Sequence, residues 1–247
     1  MKTIALYSIK GGVGKTAAAV NLAYLASLGG SRTILCDLDP QGSASYYFRI
    51  RPSRKFNKRK LLLGGRHILK NIKGTDYDQL DFLPSDLSYR NLDIVLENYR
   101  KSKRRLRKIF RPLSKSYDYV FLDCPPNITL LSENIFEAVD HLLVPLIPTT
   151  LSVVAYAKLL QFFKDKSLDR TKIRAFFSMV EKRKRLHRDI IEEMGRRNSN
   201  LLNVAIPYLS DIERMGIHRE PVGCYRPNSL ANQSYLRLWE ELLLLDP

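Results

Sequence analysis

The segment from Lys10 to Thr16 (KGGVGKT) constrains this chain more than any other part of its sequence. It follows an apolar run typical of a strand, Thr3–Ile9, and precedes Thr16–Leu28, where alanine and leucine recur at helical spacing. A glycine-rich loop in this context lets backbone N–H groups point at oxyanions. Lys15 then supplies a positive charge for the β- and γ-phosphates, and the Thr16 hydroxyl can ligate Mg²⁺. The segment therefore predicts a nucleoside triphosphate site.

Short apolar runs alternate with helical patterns along the rest of the chain. The predicted strands are Ser31–Leu38, Leu80–Leu83, Tyr117–Leu122, His141–Pro145, Ile173–Val180 and Val204–Ile206. The predicted helices are Asp86–Tyr99, Leu130–Val139, Leu151–Lys164, Arg185–Arg196 and Leu230–Leu245. Several strands are apolar almost throughout, as expected when both faces of a sheet are covered. The pattern predicts an α/β fold, with a mostly parallel twisted sheet and helices on both faces, in a single domain that spans residues 1–247.

Two stretches depart from this alternation. Arg49–Gly74 mixes proline, glycine and basic residues without a clean period, which predicts a surface excursion with a short helix around Arg66–Ile72. We expect Lys101–Arg111 to extend the preceding helix, so that its charges spread around the helix axis. Both stretches are predicted to lie outside the core.

The positive charge of the chain is concentrated in three short segments. The chain has 41 Lys and Arg against 25 Asp and Glu, a formal net charge of +16. Arg49–Lys60 and Lys101–Arg111 each hold seven basic residues, Lys182–Arg188 holds five, and none of the three contains an acid. The remainder has 22 basic and 25 acidic residues. Such concentrated charge favours a polyanionic partner, either nucleic acid or an anionic membrane.

The cysteine content indicates a reducing compartment. Cys36, Cys124 and Cys224 are odd in number and form no CxxC pair, so they are interpreted as reduced thiols. The first residues lead directly into a predicted strand, which leaves no room for a targeting peptide. The uncharged stretch His141–Ala157 is interrupted by two prolines and is too short for a spanning helix. We therefore expect a cytoplasmic protein.

The phosphate segment departs from the general P-loop pattern, which would need glycine at position 9, and it carries a second lysine at position 10. In this it resembles the deviant Walker A motif of the ParA/MinD family of P-loop ATPases. The resemblance implies ATP and Mg²⁺ as cofactors, and a homodimer in which Lys10 contacts the ATP phosphates held by the other subunit. The implied nucleotide-binding residues are Gly11, Gly12, Val13, Gly14, Lys15, Thr16 and Ala17. Ala17 stands where Thr or Ser is common, so this chain lacks a hydroxyl group for the α-phosphate at that position.

Two acidic segments extend the resemblance. Asp37–Gly42 (DLDPQG) resembles the family's DxDPQG segment, which implies that Asp39 positions the attacking water and that Asp37 supports the Mg²⁺ shell. Phe121–Pro126 (FLDCPP) resembles its Walker B segment, which implies that Asp123 holds a Mg²⁺-bound water. The implied catalytic residues are Lys10, Lys15 and Asp39, and the implied metal residues are Thr16, Asp37 and Asp123. Weaker matches imply an adenine pocket at Glu181 and Pro207, although relatives usually carry Asn or Asp at the first of these positions.

The family offers two kinds of surface partner. ParA-type members bind nonspecific double-stranded DNA as ATP dimers, whereas MinD-type members bind membrane through a basic C-terminal helix. Tyr235–Pro247 has one arginine and three acids, so it lacks a cationic face and favours DNA over membrane. The expected DNA contacts are Arg185, Arg188, Arg196 and Arg197 by analogy, with Lys103 and Arg104 on charge alone. The resemblance also implies nucleoid association, a ParB-like or adaptor protein that stimulates hydrolysis, and a plasmid, chromosome or organelle such as the carboxysome as cargo.

Three other classes stay open at this stage. One is a MinD-like positioning ATPase on a membrane, and another is a P-loop ligase or kinase that uses ATP on a small metabolite. The third, a reductase related to the nitrogenase iron protein, requires paired cluster-ligating cysteines, and Cys124 beside Asp123 is neither spaced nor paired for that role.

Overall fold

A computed structural model describes residues 1–99 and 102–245 of the chain. Eight strands of these residues form one sheet in the order β3-β4-β2-β5-β1-β6-β7-β8. The strands are β1 (Lys2–Leu6), β2 (Thr33–Asp37), β3 (Lys73–Gly74), β4 (Leu80–Leu83), β5 (Tyr119–Asp123), β6 (His141–Leu146), β7 (Ile173–Val180) and β8 (Leu201–Pro207). Strand β3 is antiparallel to β4, and the other neighbours run parallel. The predicted α/β fold is therefore confirmed.

Helices cover both faces of the sheet. They are α1 (Lys15–Leu28), α2 (Ser43–Tyr47), α3 (Lys58–Leu63), α4 (Arg66–Leu69), α5 (Leu92–Glu97), α6 (Arg105–Phe110), α7 (Leu130–Ala138), α8 (Thr150–Asp165), α9 (Arg185–Arg197), α10 (Ser210–Glu213), α11 (Met215–His218), α12 (Val222–Tyr225) and α13 (Leu230–Leu243). Helices α1 and α13 pack on one face, and α3 to α8 supply the core on the other. In the part of the chain that the structure describes, no helix is both long and apolar enough to cross a membrane.

The predicted strands lie within a few residues of the observed ones, because long apolar runs leave little choice of structure. One helix differs from the prediction for residues 86–99. This segment starts as a 3-10 turn at Leu87–Asn91, where the Asp86 side chain accepts from the Ser88 N–H at 2.9 Å, and only then becomes α5. Strand β3 and the short helices α10 to α12 were not predicted, since segments of two to four residues carry too little periodicity.

The prediction that Arg49–Gly74 lies outside the core is wrong. Helices α3 and α4 form there, and Phe56, Leu61, Leu62 and Ile68 are fully buried in the main core. Helix α3 starts at an Asn57 cap, whose side chain accepts from the Lys60 N–H at 3.2 Å. Four apolar side chains anchor this stretch in the core, while most of its basic side chains are exposed.

The prediction for the second basic run is also wrong where the structure describes it; Lys101 itself lies outside the described residues. Helix α6 is separate from α5, with the 3-10 turn Ser102–Arg104 between them. Its apolar residues recur at helical spacing and are buried: Leu106, Ile109, Phe110 and, just beyond the helix, Leu113. The exposed cations Arg104, Arg107, Lys108 and Arg111 recur with the same spacing. Four of the six cations of this run that the structure describes therefore line one face rather than spread around the axis.

Candidate functional site

The predicted site residues meet where β1, β2 and β5 end, at the carboxyl edge of the sheet. In the strand register Leu6 lies beside Asp123, and Asp123 lies beside Asp37. A cavity of about 590 Å³ opens at this edge. It is lined by the predicted Gly11, Gly12, Val13, Gly14, Lys15, Thr16, Ala17 and Asp39, together with Pro40, Gln41, Ser43, Tyr47, Pro125, Pro126, Asn127, Met179, Ile212 and Glu213. Its volume suits a nucleotide.

The glycine-rich loop has the backbone shape of a phosphate cradle. Gly12 and Gly14 have φ angles of 70° and 89°, in the region that favours glycine. A Cβ on Gly14 would lie 2.9 Å from the Ser178 hydroxyl of β7, so a side chain at this position would also require Ser178 to move. Helix α1 begins at Lys15, immediately after this turn. The free N–H groups of its first turn and their partial positive charge are therefore available to an anion in the cavity.

Lys15 lies inside this cavity and is 7% exposed. Its ammonium donates to the backbone carbonyl of Lys10 at 3.2 Å. Burial lowers the pKa of Lys15, while the nearby carboxylates of Asp123 and Asp39 act in the opposite direction. The loop thus holds a poorly solvated cation, which a phosphate oxygen would stabilise.

Asp123, at the end of β5, is an unsatisfied buried acid. It is fully buried, and within the described residues neither carboxylate oxygen has a hydrogen-bond partner of ordinary geometry. Burial raises the pKa of Asp123 to about 7, although the Thr16 hydroxyl lies near enough to oppose that shift. An orphaned carboxylate beside a hydroxyl is a donor set that suits Mg²⁺. The arrangement fits the metal roles predicted for these two residues.

Asp37 is equally buried, but the chain itself satisfies its oxygens. Oδ1 accepts from the Asp39 N–H at 3.2 Å. Oδ2 accepts from the Ser45 N–H at 3.0 Å and from its hydroxyl at 2.9 Å. Burial and the neighbouring Asp123 raise the pKa of Asp37. Because its hydrogen bonds hold the loop after β2, the geometry supports a positioning role, and the predicted role in the Mg²⁺ shell stays a prediction.

Asp39 lines the cavity on that loop. Its Oδ1 accepts from the Gln41 N–H at 2.9 Å, and its backbone carbonyl accepts from the Ser85 hydroxyl. The Ser85 N–H donates to the Ser45 hydroxyl at 3.2 Å. Two serines therefore tie Asp37 and Asp39 to the end of β4. In the sequence, no local pattern predicts these roles for Ser45 and Ser85.

The two residues predicted for an adenine pocket do not line this cavity. The Glu181 carboxylate pairs with Lys184, and its N–H donates to the His187 ring at 3.1 Å. Pro207 lies beside Val180 in the β7–β8 register. Met179, Ile212 and Glu213, which are near these two residues in sequence, line the cavity instead. The Glu213 carboxylate accepts from the Tyr208 hydroxyl.

Lys10 does not line the cavity of its own chain either. Its N–H donates to the Ser8 hydroxyl at 3.3 Å and its carbonyl accepts from Lys15, so its backbone belongs to the loop. Among the described residues, none forms an ion pair or a hydrogen bond with its ammonium group. The two lysines of the motif therefore have different surroundings.

The predicted DNA contacts are exposed, and most are paired with acids. On α9, Arg185, Arg196 and Arg197 pair with Asp189, Glu192 and Glu193, each four residues away. Arg188 donates to the carbonyl of Lys182 at 3.0 Å. Near α6, Lys103 pairs with Glu133 at 2.9 Å and Arg104 with Glu137 at 3.6 Å. An exposed ion pair contributes only about 0–1 kcal/mol to stability. These acids therefore partly neutralise the cations but do not hold the side chains in place.

Comparison with known proteins shows the family to which the chain belongs. A family model described as an AAA domain matches residues 1–174. A ParA family protein of Chlamydia muridarum is 30% identical, over 99% of this chain and 98% of its own. The chromosome-partitioning ATPase Soj of Treponema pallidum is 27% identical over the same shares. A solved cobyrinic acid a,c-diamide synthase of Mycobacterium smegmatis, with bound ADP and magnesium, is 22% identical with a TM-score of 0.82 over 98% of this chain and 94% of its own, which shows a shared fold. The chain belongs to the ParA family of ATPases.

Proposed function

We propose that this protein is a ParA-type partition ATPase, with ATP and Mg²⁺ as its cofactors, whose ATP-bound form is a homodimer that binds nonspecific double-stranded DNA. Support comes from the site geometry and from relatives that include a chromosome-partitioning ATPase. ATP hydrolysis then releases the dimer from DNA, and a ParB-like or adaptor protein stimulates this hydrolysis. The protein is then associated with the nucleoid. The cargo is a plasmid, a chromosome region or an organelle.

Different residues of the site bind the phosphates, hold Mg²⁺ and position the attacking water. The loop N–H groups and the Lys15 ammonium bind phosphate oxygens, because a poorly hydrated cation gains most from an anionic partner. Thr16 and Asp123 would hold Mg²⁺, which supplies charge neutralisation at the phosphates when it is bound. Asp39, at the cavity wall, orients the attacking water. Asp37, Ser45 and Ser85 keep the Asp39 loop in place.

The observation that carries the dimer is the environment of Lys10. A lysine in the phosphate loop that neither lines its own cavity nor pairs within the described residues leaves its ammonium available to a group outside its own chain. In a dimer whose two cavities face each other, this ammonium can reach the phosphates held by the other subunit. ATP then bridges two protomers, and its γ-phosphate determines whether they stay together.

Sedimentation velocity tests this arrangement. An Asp39→Ala variant, which should bind ATP without hydrolysing it, is expected to sediment as a dimer with ATP and Mg²⁺ and as a monomer with ADP. Adding Lys10→Ala should give monomers with both nucleotides while ATP is still bound. A dimer that persists without the Lys10 side chain, or that forms equally with ADP, contradicts the proposal.

DNA retention at graded salt tests the second half of the proposal. Retention should be strongest with ATP, because a dimer presents twice as many cations and the salt dependence grows with each phosphate neutralised. Equal retention with ATP, with ADP and without nucleotide contradicts an ATP switch. The alternative is a ligase or kinase that acts on a small metabolite. This chain shares its fold with a diamide synthase, but that likeness alone does not favour the alternative. ATP turnover that needs a small metabolite, and that DNA and protein leave unchanged, would favour it instead.

A further inference from the structure

Two basic segments that are far apart in sequence meet on one surface. Helix α3 packs against α6. The Arg105 guanidinium donates to the carbonyl of Leu62 at 2.7 Å and lies over the Tyr99 ring at 4.4 Å. A Cβ on Gly64 would be 3.2 Å from Ile109, so the two chain segments approach closely. The chain segments that carry the first and second basic runs therefore lie side by side.

This surface has many cations and few acids. Residues 49–75 contain ten Lys and Arg and no Asp or Glu. On α6 and its flanks, Arg104, Arg107, Lys108 and Arg111 line one exposed stripe, and these four residues also line a cavity of about 670 Å³ beside Met1 and Asp140. Within the residues that the structure describes, the exposed cations without an acidic partner here include Arg54, Lys55, Arg59, Arg66, Lys70, Lys73, Arg107, Lys108, Arg111 and Lys115.

Helix α9 is the DNA contact that the family resemblance implies, but its cations are more fully paired than those near α3 and α6. Three of its arginines have acidic partners one turn away, and Arg188 is engaged with backbone carbonyls. Any phosphate that binds there competes with carboxylates of the same helix and is repelled by them. On the α3–α6 surface most of the cations have no such competitor, so each can neutralise a phosphate at full charge.

We propose that α3, α4 and α6 together form the principal DNA-binding surface of this protein, with the phosphate backbone of duplex DNA as its ligand. This inference rests on the proposed function, and it specifies the surface that performs it. The α6 stripe, from Arg104 to Arg111, extends over about 10 Å at a rise of about 1.5 Å per residue. Duplex DNA carries one negative charge per about 1.7 Å of its axis when both strands are counted, so a length of duplex equal to this stripe carries roughly six phosphates, of which those on the near side can contact it. Binding through such contacts is insensitive to base sequence.

The distribution of apolar residues favours DNA over an anionic membrane. A membrane-bound helix needs a continuous apolar face to insert between lipids. Here the apolar residues of the three helices are buried in the protein core, and α3 and α4 each leave one leucine exposed, Leu63 and Leu69. Two isolated leucines on helices of six and four residues do not form an insertion face.

Charge-neutralising variants of the full-length protein test the proposal. The α6 variant is Arg107→Gln/Lys108→Gln/Arg111→Gln, and the α3–α4 variant is Arg59→Gln/Arg66→Gln/Lys70→Gln. The α9 variant is Arg185→Gln/Arg196→Gln/Arg197→Gln. The control, Lys158→Gln/Lys164→Gln/Arg237→Gln, removes the same charge from exposed positions on α8 and α13. All four are exposed substitutions, and ATP affinity with circular dichroism verifies that each variant is folded.

The readout is the affinity for a labelled random-sequence duplex with ATP and Mg²⁺, measured over a range of salt concentrations. Every phosphate that is no longer neutralised should reduce the slope of log K against log salt by about 0.9, so the slope should fall by roughly 2 to 3 per subunit in the α6 variant and in the α3–α4 variant. The control and the α9 variant should keep a slope close to that of the wild type.

The outcomes separate this inference from the proposed function. If the wild type binds DNA, and the α9 variant loses the slope while the α6 and α3–α4 variants keep it, the inference is overturned and the proposed function stands. If the wild type retains no DNA with any nucleotide, the proposed function fails as well. Binding to phosphatidylglycerol vesicles that requires the α6 cations, without binding to DNA, would overturn the inference in favour of a membrane.

Discussion

The Lys15 ammonium donates a hydrogen bond to the backbone carbonyl of Lys10 at 3.2 Å. The side chain of one lysine of the motif is thus held against the main chain of the other, inside a single phosphate loop. Lys15 lines the cavity and is nearly buried, whereas Lys10 does not line it. We therefore expect Lys15 to bind the nucleotide of its own chain, and Lys10 to contribute to a second chain.

Replacing the two lysines one at a time should separate these roles. Lys15→Met should raise the ATP Kd by roughly 10- to 150-fold, because a hydrogen bond to a charged group contributes about 1.5–3 kcal/mol. Lys10→Met should leave that Kd within about threefold. Isothermal titration calorimetry at protein concentrations where the chain is monomeric measures both. Equal losses in the two variants would show that Lys10 binds the nucleotide of its own chain.

Ser45→Ala should destabilise the protein and slow hydrolysis together. The Ser45 hydroxyl donates to the buried Asp37 carboxyl at 2.9 Å and accepts from the Ser85 N–H at 3.2 Å. Leaving these buried groups unpaired costs about 1–3 kcal/mol, and the Asp39 loop loses a support. Urea unfolding measures the first effect and steady-state turnover the second. Ser114→Ala is the control, since Ser114 is exposed and does not line the cavity; a Ser45→Ala protein as stable and active as this control would contradict the positioning role.

The sequence predicts the residues of the motifs but not the side chains that hold them in position. The phosphate loop was predicted from its glycines and lysine between a strand and a helix, and Asp39 and Asp123 from their resemblance to family segments. These residues meet because parallel strands bring their ends to one edge of the sheet. Ser45 and Ser85 could not be predicted, since their roles depend on a contact between residues 40 positions apart. The buried part of Arg49–Gly74 was missed for a similar reason. Four apolar anchors among ten cations give no period, and only their packing against α6 shows that they belong to the core.

Binding of the nucleotide base should depend on Ile212 rather than on Glu181. Ile212→Ala removes apolar surface from the wall and should raise the ATP Kd by roughly five- to tenfold, about 1 to 1.4 kcal/mol. Glu181→Ala should change it by less than about twofold, because that carboxylate is paired with Lys184 outside the cavity. Competition with inorganic triphosphate is the control, since it lacks a base and should bind both variants like the wild type. A larger effect of Glu181→Ala would restore the adenine contact that the resemblance implies.

Gly14→Ala should destabilise the protein before any nucleotide is added. Gly14 has a φ of 89°, and a Cβ there would lie 2.9 Å from the Ser178 hydroxyl, so both backbone strain and a steric contact oppose alanine. Strain of this kind costs about 1–3 kcal/mol. Gly11 is the matched control in the same loop, because its φ is not positive and a Cβ at that position would have no other atom within 4 Å. Urea unfolding without nucleotide should therefore show a loss for Gly14→Ala and little change for Gly11→Ala. The double variant Gly14→Ala/Ser178→Ala should recover only the steric part of that loss, because the backbone strain remains. Full recovery would mean that the left-handed turn at Gly14 contributes nothing to the requirement for glycine.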